Sequence, residues 1–262
     1  MSSSDLRFSA NISMLFSELA FLDRIEAAAR AGFDAVECHF PFAFDPADVR
    51  SRLRDCGLSM NGINTPPGGA GEFGLAALAG REDDFARGFD QALEWGQKVG
   101  VSTIHCMAGC IHAQDPSDAT QATDVFLRNM ERASIHARDC GSTLLIEPIN
   151  HVDRPGYFLN TTEQAASLIA ALDCSNVRML FDFYHVQITQ GDLLRRMERH
   201  WPIIDHFQVA SIPRRHEPDE GEIVFGEIFT AIAQRQWRGL VAAEYNPRGP
   251  TLEGLGWLAA AR

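Results

Sequence analysis

One lysine, Lys98, is all that the 262 residues contain, so any Schiff-base or lysine-base chemistry would have to run through it. It lies in Glu94-Trp95-Gly96-Gln97-Lys98, the polar end of a helix that leads into a strand. In a strand–helix barrel the catalytic groups stand at the other, C-terminal ends of the strands, which makes a lysine aldolase a poor reading. Also missing is any stretch of about 18 apolar residues able to cross a bilayer. The opening Met1-Ser2-Ser3-Ser4-Asp5 has neither a basic start nor an apolar signal core, so a cytoplasmic protein without a membrane partner is expected. No G-x-G-x-x-G opens the first helix, which argues against a nucleotide fold of that type. The six cysteines are scattered with no C-x-x-C pair and do not form the pattern of a disulfide framework. Finally, no run of Lys and Arg offsets the formal net charge of -12, so a nucleic-acid partner would be held against general repulsion.

What is present is the make-up of a globular protein, 45% hydrophobic and 22% charged. Its length suits one barrel domain over 1–262 with a substantial core. Short apolar runs alternate with longer amphipathic ones. Strands are predicted over 6–12, 33–38, 58–64, 101–107, 143–147, 177–182, 203–209 and 240–244. Helices are predicted over 18–31, from Asp45-Pro46 to Gly57, and over 81–98, 120–140, 161–172, 192–199 and 222–235, with a short one at 251–260. Gly32, Gly100 and Gly141 stop helices, while Asp45 caps one and Pro46 opens its first turn. The segment Thr65-Pro66-Pro67-Gly68-Gly69-Ala70-Gly71 can only be a loop. Repeated β-α units imply parallel strands, and eight of them close most economically into a (β/α)₈ TIM barrel, with an open doubly wound sheet as the rival.

Four neighbouring strands end on residues able to bind a hard cation. Strand 5 ends at Glu147, strand 6 at Asp182, strand 7 at Gln208 and strand 8 at Glu244. Leu145, Leu180, His206 and Ala242, two residues earlier, share their face of each strand. One such acid marks only where a strand leaves the core. Three on adjacent strands would converge on one pocket and repel unless protonated or bridged by a cation. An oxygen-only set, with Gln208 as the neutral member, favours Mg²⁺ or Mn²⁺ over zinc. Two glutamates flanking such an ion suit proton transfer beside a carbonyl. One removes the proton, an enediolate forms, and the proton returns at the neighbouring carbon. Glu147 and Glu244 suit these catalytic roles.

His185, three residues after Asp182, is expected in the loop over the pocket, able to donate to a substrate oxygen or else bonded within its own loop. Arg214, Arg215 and His216 follow strand 7, and this positive cluster suits a substrate carboxylate, unless it is merely a solvated charge run. His105-Cys106-Met107-Ala108-Gly109-Cys110-Ile111-His112 holds four zinc-type ligands, but alternation splits His105 from Cys106. His105 is read as lining the pocket floor or as a satisfied core histidine. Asn11 and Asn64 are read first as turn formers. Trp95 and Trp237 are read as helical packing residues. Phe73-Gly74-Leu75 is an apolar loop suited to a lid or a subunit contact, which leaves a homo-oligomer open.

The motifs Glu147-Pro148-Ile149-Asn150, Pro155-Gly156-Tyr157-Phe158-Leu159-Asn160-Thr161-Thr162 and Phe181-Asp182-Phe183-Tyr184-His185 resemble the hydroxypyruvate isomerase family. So do Gln208-Val209-Ala210, Arg215-His216-Glu217-Pro218, Gly221-Glu222-Ile223, Glu244-Tyr245 and Gly254-Leu255-Gly256-Trp257-Leu258, so that the likeness spans nearly the whole chain. The resemblance implies a xylose isomerase-like barrel that interconverts hydroxypyruvate and tartronate semialdehyde, or the related 2-oxo- and 3-oxo-tetronates. It implies Glu147 and Glu244 as catalytic glutamates and, with Asp182 and Gln208, as the metal ligands. His185 matches the histidine of the wider sugar isomerase and epimerase group. Arg214 departs from the glycine the family often has there, which bears on the substrate pocket. Competing readings are a retaining barrel glycosidase, which leaves Asp182 and Gln208 without a role, an endonuclease-type metal barrel, which would need more histidines and a basic groove, and a non-catalytic sugar-acid binder.

Overall fold

A computed structural model describes residues 6–111 and 116–262, the side chains at 116 and 117 excepted. Among these residues lie eight strands: β1 (Arg7–Asn11), β2 (Ala35–Cys38), β3 (Ser59–Asn64), β4 (Thr103–His105), β5 (Thr143–Ile146), β6 (Val177–Asp182), β7 (Ile204–Val209) and β8 (Leu240–Ala243). All pair in parallel with their sequence neighbours, and β8 pairs back with β1 to close the barrel, which excludes the open sheet. The outer layer consists of α1 (Phe21–Arg30), α2 (Pro46–Asp55), α3 (Glu82–Val99), α4 (Pro116–Asp139), α5 (Thr162–Leu172), α6 (Phe183–Thr189), α7 (Leu193–His200), α8 (Phe225–Gln234) and α9 (Gly256–Ala260).

Local chemistry sets several of these boundaries. The Asp45 carboxylate accepts from the Ala47 N–H at 2.8 Å with Pro46 in the first helical position, and the Thr161 hydroxyl caps α5 by accepting from the Gln164 N–H at 3.1 Å. Period-two alternation sorts the strand side chains. Phe8 and Phe207 point outward, Phe8 edge-on to Phe229 and Trp257 and Phe207 against Trp201 and Trp237. The residues between them, Ser9, Asn11, His206 and Gln208, turn into the barrel. Trp237 packs as expected but lies just beyond α8 rather than on a helix. Lys98 sits near the end of α3, paired with Glu94 at 2.7 Å. All six cysteines are free.

Two elements differ from the sequence reading. β4 is shorter than predicted, because the chain beyond His105 turns to bind the segment 65–80. The Leu75 and Ala76 N–H groups donate to the Met107 carbonyl at 3.2 Å, and the Ala77 N–H donates to the Ala108 carbonyl at 2.8 Å. Phe73-Gly74-Leu75 is therefore a fixed part of the barrel mouth, with Leu75, Ala76 and Ala77 buried. The second difference is α6, which starts directly from the last residue of β6. Its residues are weak helix formers. The turn is held by the Asp182 carboxylate, which accepts from the Tyr184 N–H at 2.9 Å, and by burial of Phe183, Tyr184, His185 and Val186.

Gly74 shows how tightly the mouth segment is seated. Its φ is +119°, and a Cβ there would stand 2.4 Å from the Met107 carbonyl oxygen. Gly74→Ala is expected to destabilise the protein by about 1–3 kcal/mol, from the disfavoured φ and the backbone contact together. Denaturant unfolding checks this, and an unchanged midpoint would contradict it.

Candidate active site

The barrel register brings the C-terminal strand ends to one level. Asn11 pairs with Glu37, Asp182 with Gln208, and Ala10 with Ala243, so Glu244 follows beside Asn11. Glu147, Asp182, Gln208 and Glu244 are all buried there. They meet through shared partners. The Gln208 amide nitrogen donates to Glu244 Oε2 at 2.5 Å. Arg215 Nη2 lies 2.6 Å from Glu244 Oε1 and 3.5 Å from Asp182 Oδ2. His185 Nε2 lies 3.6 Å from Asp182 Oδ2 and 3.9 Å from Glu147 Oε1.

The two glutamates sit in opposite electrostatic surroundings. Glu244 accepts from Arg215, Gln208 and Asn11, the last at 2.9 Å, and faces His39 Nε2 at 3.4 Å. Burial alone would raise its proton affinity, but His39 and Arg215 outweigh it and hold the carboxyl well below its ordinary range. Glu147 has no such donors. Its Oε1 is buried with no hydrogen-bond partner, and its Oε2 is 3.6 Å from His105 Nδ1. Burial, then the charges of Glu244 and Asp182, push its pKa well above the ordinary value. Burial likewise lifts Asp182 to about 7, against the pull of Arg215.

The histidines divide in the same way. Burial and then Arg215 keep His185 neutral, and burial lowers His105 to about 3. The tautomer of His185 follows from Asn150. The Asn150 side-chain oxygen accepts from the Val152 and Asp153 N–H groups, which turns its amide nitrogen to His185 Nδ1 at 2.6 Å. Nδ1 is therefore an acceptor, and the proton is on Nε2, facing the Glu147 and Asp182 carboxylates. His39 is protonated more readily than usual, because the charge of Glu244 overrides its burial.

Glu147, Asp182 and His185 each offer a ligand-type atom within 4.8 Å of the others, close enough for one ion to be shared among them. With its Nε2 protonated, His185 turns an N–H rather than a lone pair toward that set, which leaves the two carboxylates as the members able to bind a cation. The partnerless Glu147 oxygen beside a second carboxylate of raised proton affinity fits a hard divalent cation. The amide nitrogen of Gln208, in contrast, already faces two carboxylates, Glu37 at 2.8 Å and Glu244.

Above these groups opens a cleft of about 530 Å³, walled by Phe40, Asn64, Phe73, Met107, Arg154 and Tyr184. Arg154 stacks over the Phe73 ring at 4.0 Å, which ties the β5–α5 loop to the mouth segment. Arg214 is exposed on the cleft wall, and Arg215 reaches down to the carboxylates with its guanidinium over the Tyr184 ring at 4.9 Å. His216 is not among the residues that line this cleft, and its Nδ1 lies 2.7 Å from the Asn246 carbonyl oxygen. His185 sits on α6, not in a loop as expected. His105 lines the cleft with Nε2 partnerless, whereas Cys106 is buried in the apolar core and His112 falls outside the described residues. No zinc set forms among the described members of that motif.

Sequence reasoning gave no role to Glu37 or His39, placed His206 on the site face of its strand without a role, and read Asn11 first as a turn former. Asn11 does accept from the Ser13 N–H at 3.1 Å, but its amide nitrogen bridges Glu37 and Glu244. The same strand-end rule that picked out Gln208, one residue short of the end of β7, applies to Glu37 in β2.

Comparison with known proteins agrees with this architecture. The sequence pattern of the xylose isomerase-like TIM barrel family matches residues 25–261. The chain is 43% identical over 254 residues to the 2-oxo-tetronate isomerase of Cupriavidus necator, covering 96% of this chain and 97% of that protein. It is 38% identical over 255 residues to the hydroxypyruvate isomerase of Escherichia coli, covering 97% of this chain and 98% of that one. A crystal structure described as AP endonuclease, family 2, from Brucella melitensis superposes with a TM-score of 0.94 at 39% identity, covering 98% of this chain and 99% of that chain. The closed barrel, its strand-end carboxylates and these full-length likenesses together make the chain a member of the xylose isomerase-like TIM barrel family.

Proposed function

We propose that the chain is an isomerase of small hydroxy-oxo acids, interconverting hydroxypyruvate and tartronate semialdehyde or the 2-oxo- and 3-oxo-tetronates one carbon longer. The observation that carries this reading is the pair of buried glutamates in unlike surroundings at one cleft. Glu244 is held as an anion by its donors, and Glu147 is held toward its protonated form. Titratable pairs whose environments push their pKa values apart divide into a base and an acid. The relatives named as isomerases of these acids, matched over almost their full lengths, support the substrate class.

In the direction from hydroxypyruvate, Glu244 takes the proton from the hydroxyl-bearing carbon C3. The C–H electron pair becomes the C2–C3 double bond of an enediolate, and negative charge moves to the C2 oxygen. Glu147 delivers a proton to C2, which takes up the C2–C3 double-bond pair, while an oxygen pair at C3 closes the aldehyde. The C3 hydroxyl proton is relayed to the C2 oxygen, which becomes the new hydroxyl, and the proton on Glu244 returns through solvent to Glu147. His185, with its proton on Nε2, donates to an oxygen of the reacting pair. Arg214 and Arg154 at the cleft mouth face the substrate carboxylate, which Arg can bind bidentately. Glu147, Asp182, Glu244 and Gln208 would hold a Mg²⁺ or Mn²⁺. When bound, such an ion polarises the carbonyl and screens the negative charge that develops. An endonuclease reading has no support in the charge of the chain, which is -12 overall.

Hydroxypyruvate or 2-oxo-tetronate incubated with the protein in D₂O and followed by NMR is expected to gain deuterium at the carbon that accepts the proton, and a chelator is expected to slow this. Binding of either acid without deuterium entry would favour a non-catalytic binder and contradict the proposal. Glu244→Gln and Glu147→Gln are each expected to lower kcat by roughly 10²–10⁴-fold, the usual contribution of a positioned acid or base, with the thermal midpoint kept. A near-parental rate in either folded variant would remove that glutamate from the mechanism.

A further inference from the structure

Across Asn11 from Glu244 the barrel holds another buried carboxylate, Glu37, to which the reaction above gives no role. Glu37 Oε1 accepts from the Asn11 amide nitrogen at 3.0 Å and from the Gln208 amide nitrogen at 2.8 Å. The same two nitrogens donate to Glu244 Oε2, at 2.9 Å from Asn11 and 2.5 Å from Gln208. Two side-chain amides thus bridge two carboxylates. The other Glu37 oxygen, Oε2, pairs with His206 Nε2 at 2.8 Å. All five residues are buried, and they are anchored by four strands: Asn11 by β1, Glu37 by β2, His206 and Gln208 by β7, and Glu244 by the end of β8.

The chemistry of the bridge is directional. A carboxylate only accepts, and an amide nitrogen only donates. With an acceptor on each side, the Asn11 and Gln208 amides each have one rotation that satisfies both contacts, and the flipped amide would set oxygen against oxygen twice. Glu37 therefore selects the rotamer of the Gln208 amide and joins the Ser13 N–H, which donates to Asn11 Oδ1, in fixing that of Asn11, and through both amides it sets the position of the Glu244 carboxylate. His206, protonated more readily than usual because the charge of Glu37 overrides burial, balances the Glu37 carboxylate without drawing on Arg215.

We infer that Glu37 is a positioning residue for Glu244, acting through the paired amides of Asn11 and Gln208. The inference rests on the role given to Glu244 under the proposed function, and it assigns Glu37 no contact with substrate. What matters on this account is the reach of the Glu37 acceptor oxygen rather than its charge.

Two conservative variants separate reach from charge. Glu37→Asp keeps the charge and retracts the acceptor by one methylene. Glu37→Gln keeps the reach and an acceptor oxygen for both amides, while its amide nitrogen can donate to a neutral His206. Glu37→Asp is expected to lower kcat by roughly 10–100-fold with KM moved less than about threefold and the thermal midpoint nearly unchanged, as for other residues that orient a catalytic group from behind. Glu37→Gln is expected to be about tenfold more active than Glu37→Asp, given the loss expected of the latter. The reverse ranking, a parental kcat in Glu37→Asp, or a loss confined to KM would overturn the inference.

Solvent exchange of the Gln208 side-chain amide protons, read by ¹⁵N NMR on the full chain, needs no substrate. It is expected to quicken in Glu37→Asp and to stay slow in Glu37→Gln. Unchanged exchange in Glu37→Asp would overturn the inference. A parent protein that leaves both acids unchanged would defeat the proposed function, while the exchange measurement would still decide whether Glu37 fixes the amide.

Discussion

Four carboxylates, those of Glu37, Glu147, Asp182 and Glu244, are buried around one barrel mouth, and the site follows from how their charge is met. A buried carboxylate is costly unless it is paired, hydrogen-bonded or protonated. Glu37 has His206, and Glu244 has Arg215, His39 and two amides. Asp182 shares Arg215 and accepts from the Tyr184 backbone. Glu147 is left with two neutral histidines at 3.6 and 3.9 Å. It is the one member of the group with no cation in ion-pair contact among the described residues, and its burial favours uptake of a proton, of a metal ion, or of one on each oxygen. That asymmetry gives the two glutamates unlike proton affinities on a barrel that supplies the same side chain at both places.

The loop that delivers Arg215 is built to match this demand. Arg215 has φ +55°, a left-handed conformation that costs a residue with a side chain about 1–3 kcal/mol and persists only where the surroundings enforce it. The enforcement is visible. The Arg215 N–H donates to the Ser211 carbonyl at 2.9 Å, and the Arg215 carbonyl accepts from the Asn246 N–H at 2.7 Å. Next to it the buried Glu217 accepts from Arg248 Nε at 2.9 Å, and Arg248 also holds Asp219 and Glu220. The loop after β7 is thereby fastened to the segment after β8, and the guanidinium is fixed over the gap between Asp182 and Glu244.

Much of this architecture was legible in the sequence because it is periodic. Alternating strand and helix patterns, helix-stopping glycines and the Asp45-Pro46 cap located the eight units, and the strand-end rule found Glu147, Asp182, Gln208 and Glu244. Where the reading fell short, tertiary structure had overridden local pattern. α6 is rich in aromatic and β-branched residues and exists because Asp182 caps it and the core buries it. β4 ends early because the 65–80 segment takes over its carbonyls. Glu37 carries the same strand-end signature as Gln208, but its role and that of His39, just beyond β2, have no signature in the local pattern. Their partners lie across the barrel, at Gln208 and Glu244, and only closure brings them together. Arg215 was recognised as a cation over the pocket, but its insertion between two carboxylates depends on a backbone angle that the sequence does not display.

The central claim is that Glu147 carries a proton while Glu244, at the same cleft, does not. Neutron diffraction from chelator-treated, deuterium-exchanged crystals at neutral pH observes this directly. The account predicts a deuteron on the Glu147 carboxyl and on His185 Nε2, with the Glu244 carboxylate and His185 Nδ1 bare. A deuteron on Glu244, or a bare Glu147, would contradict it.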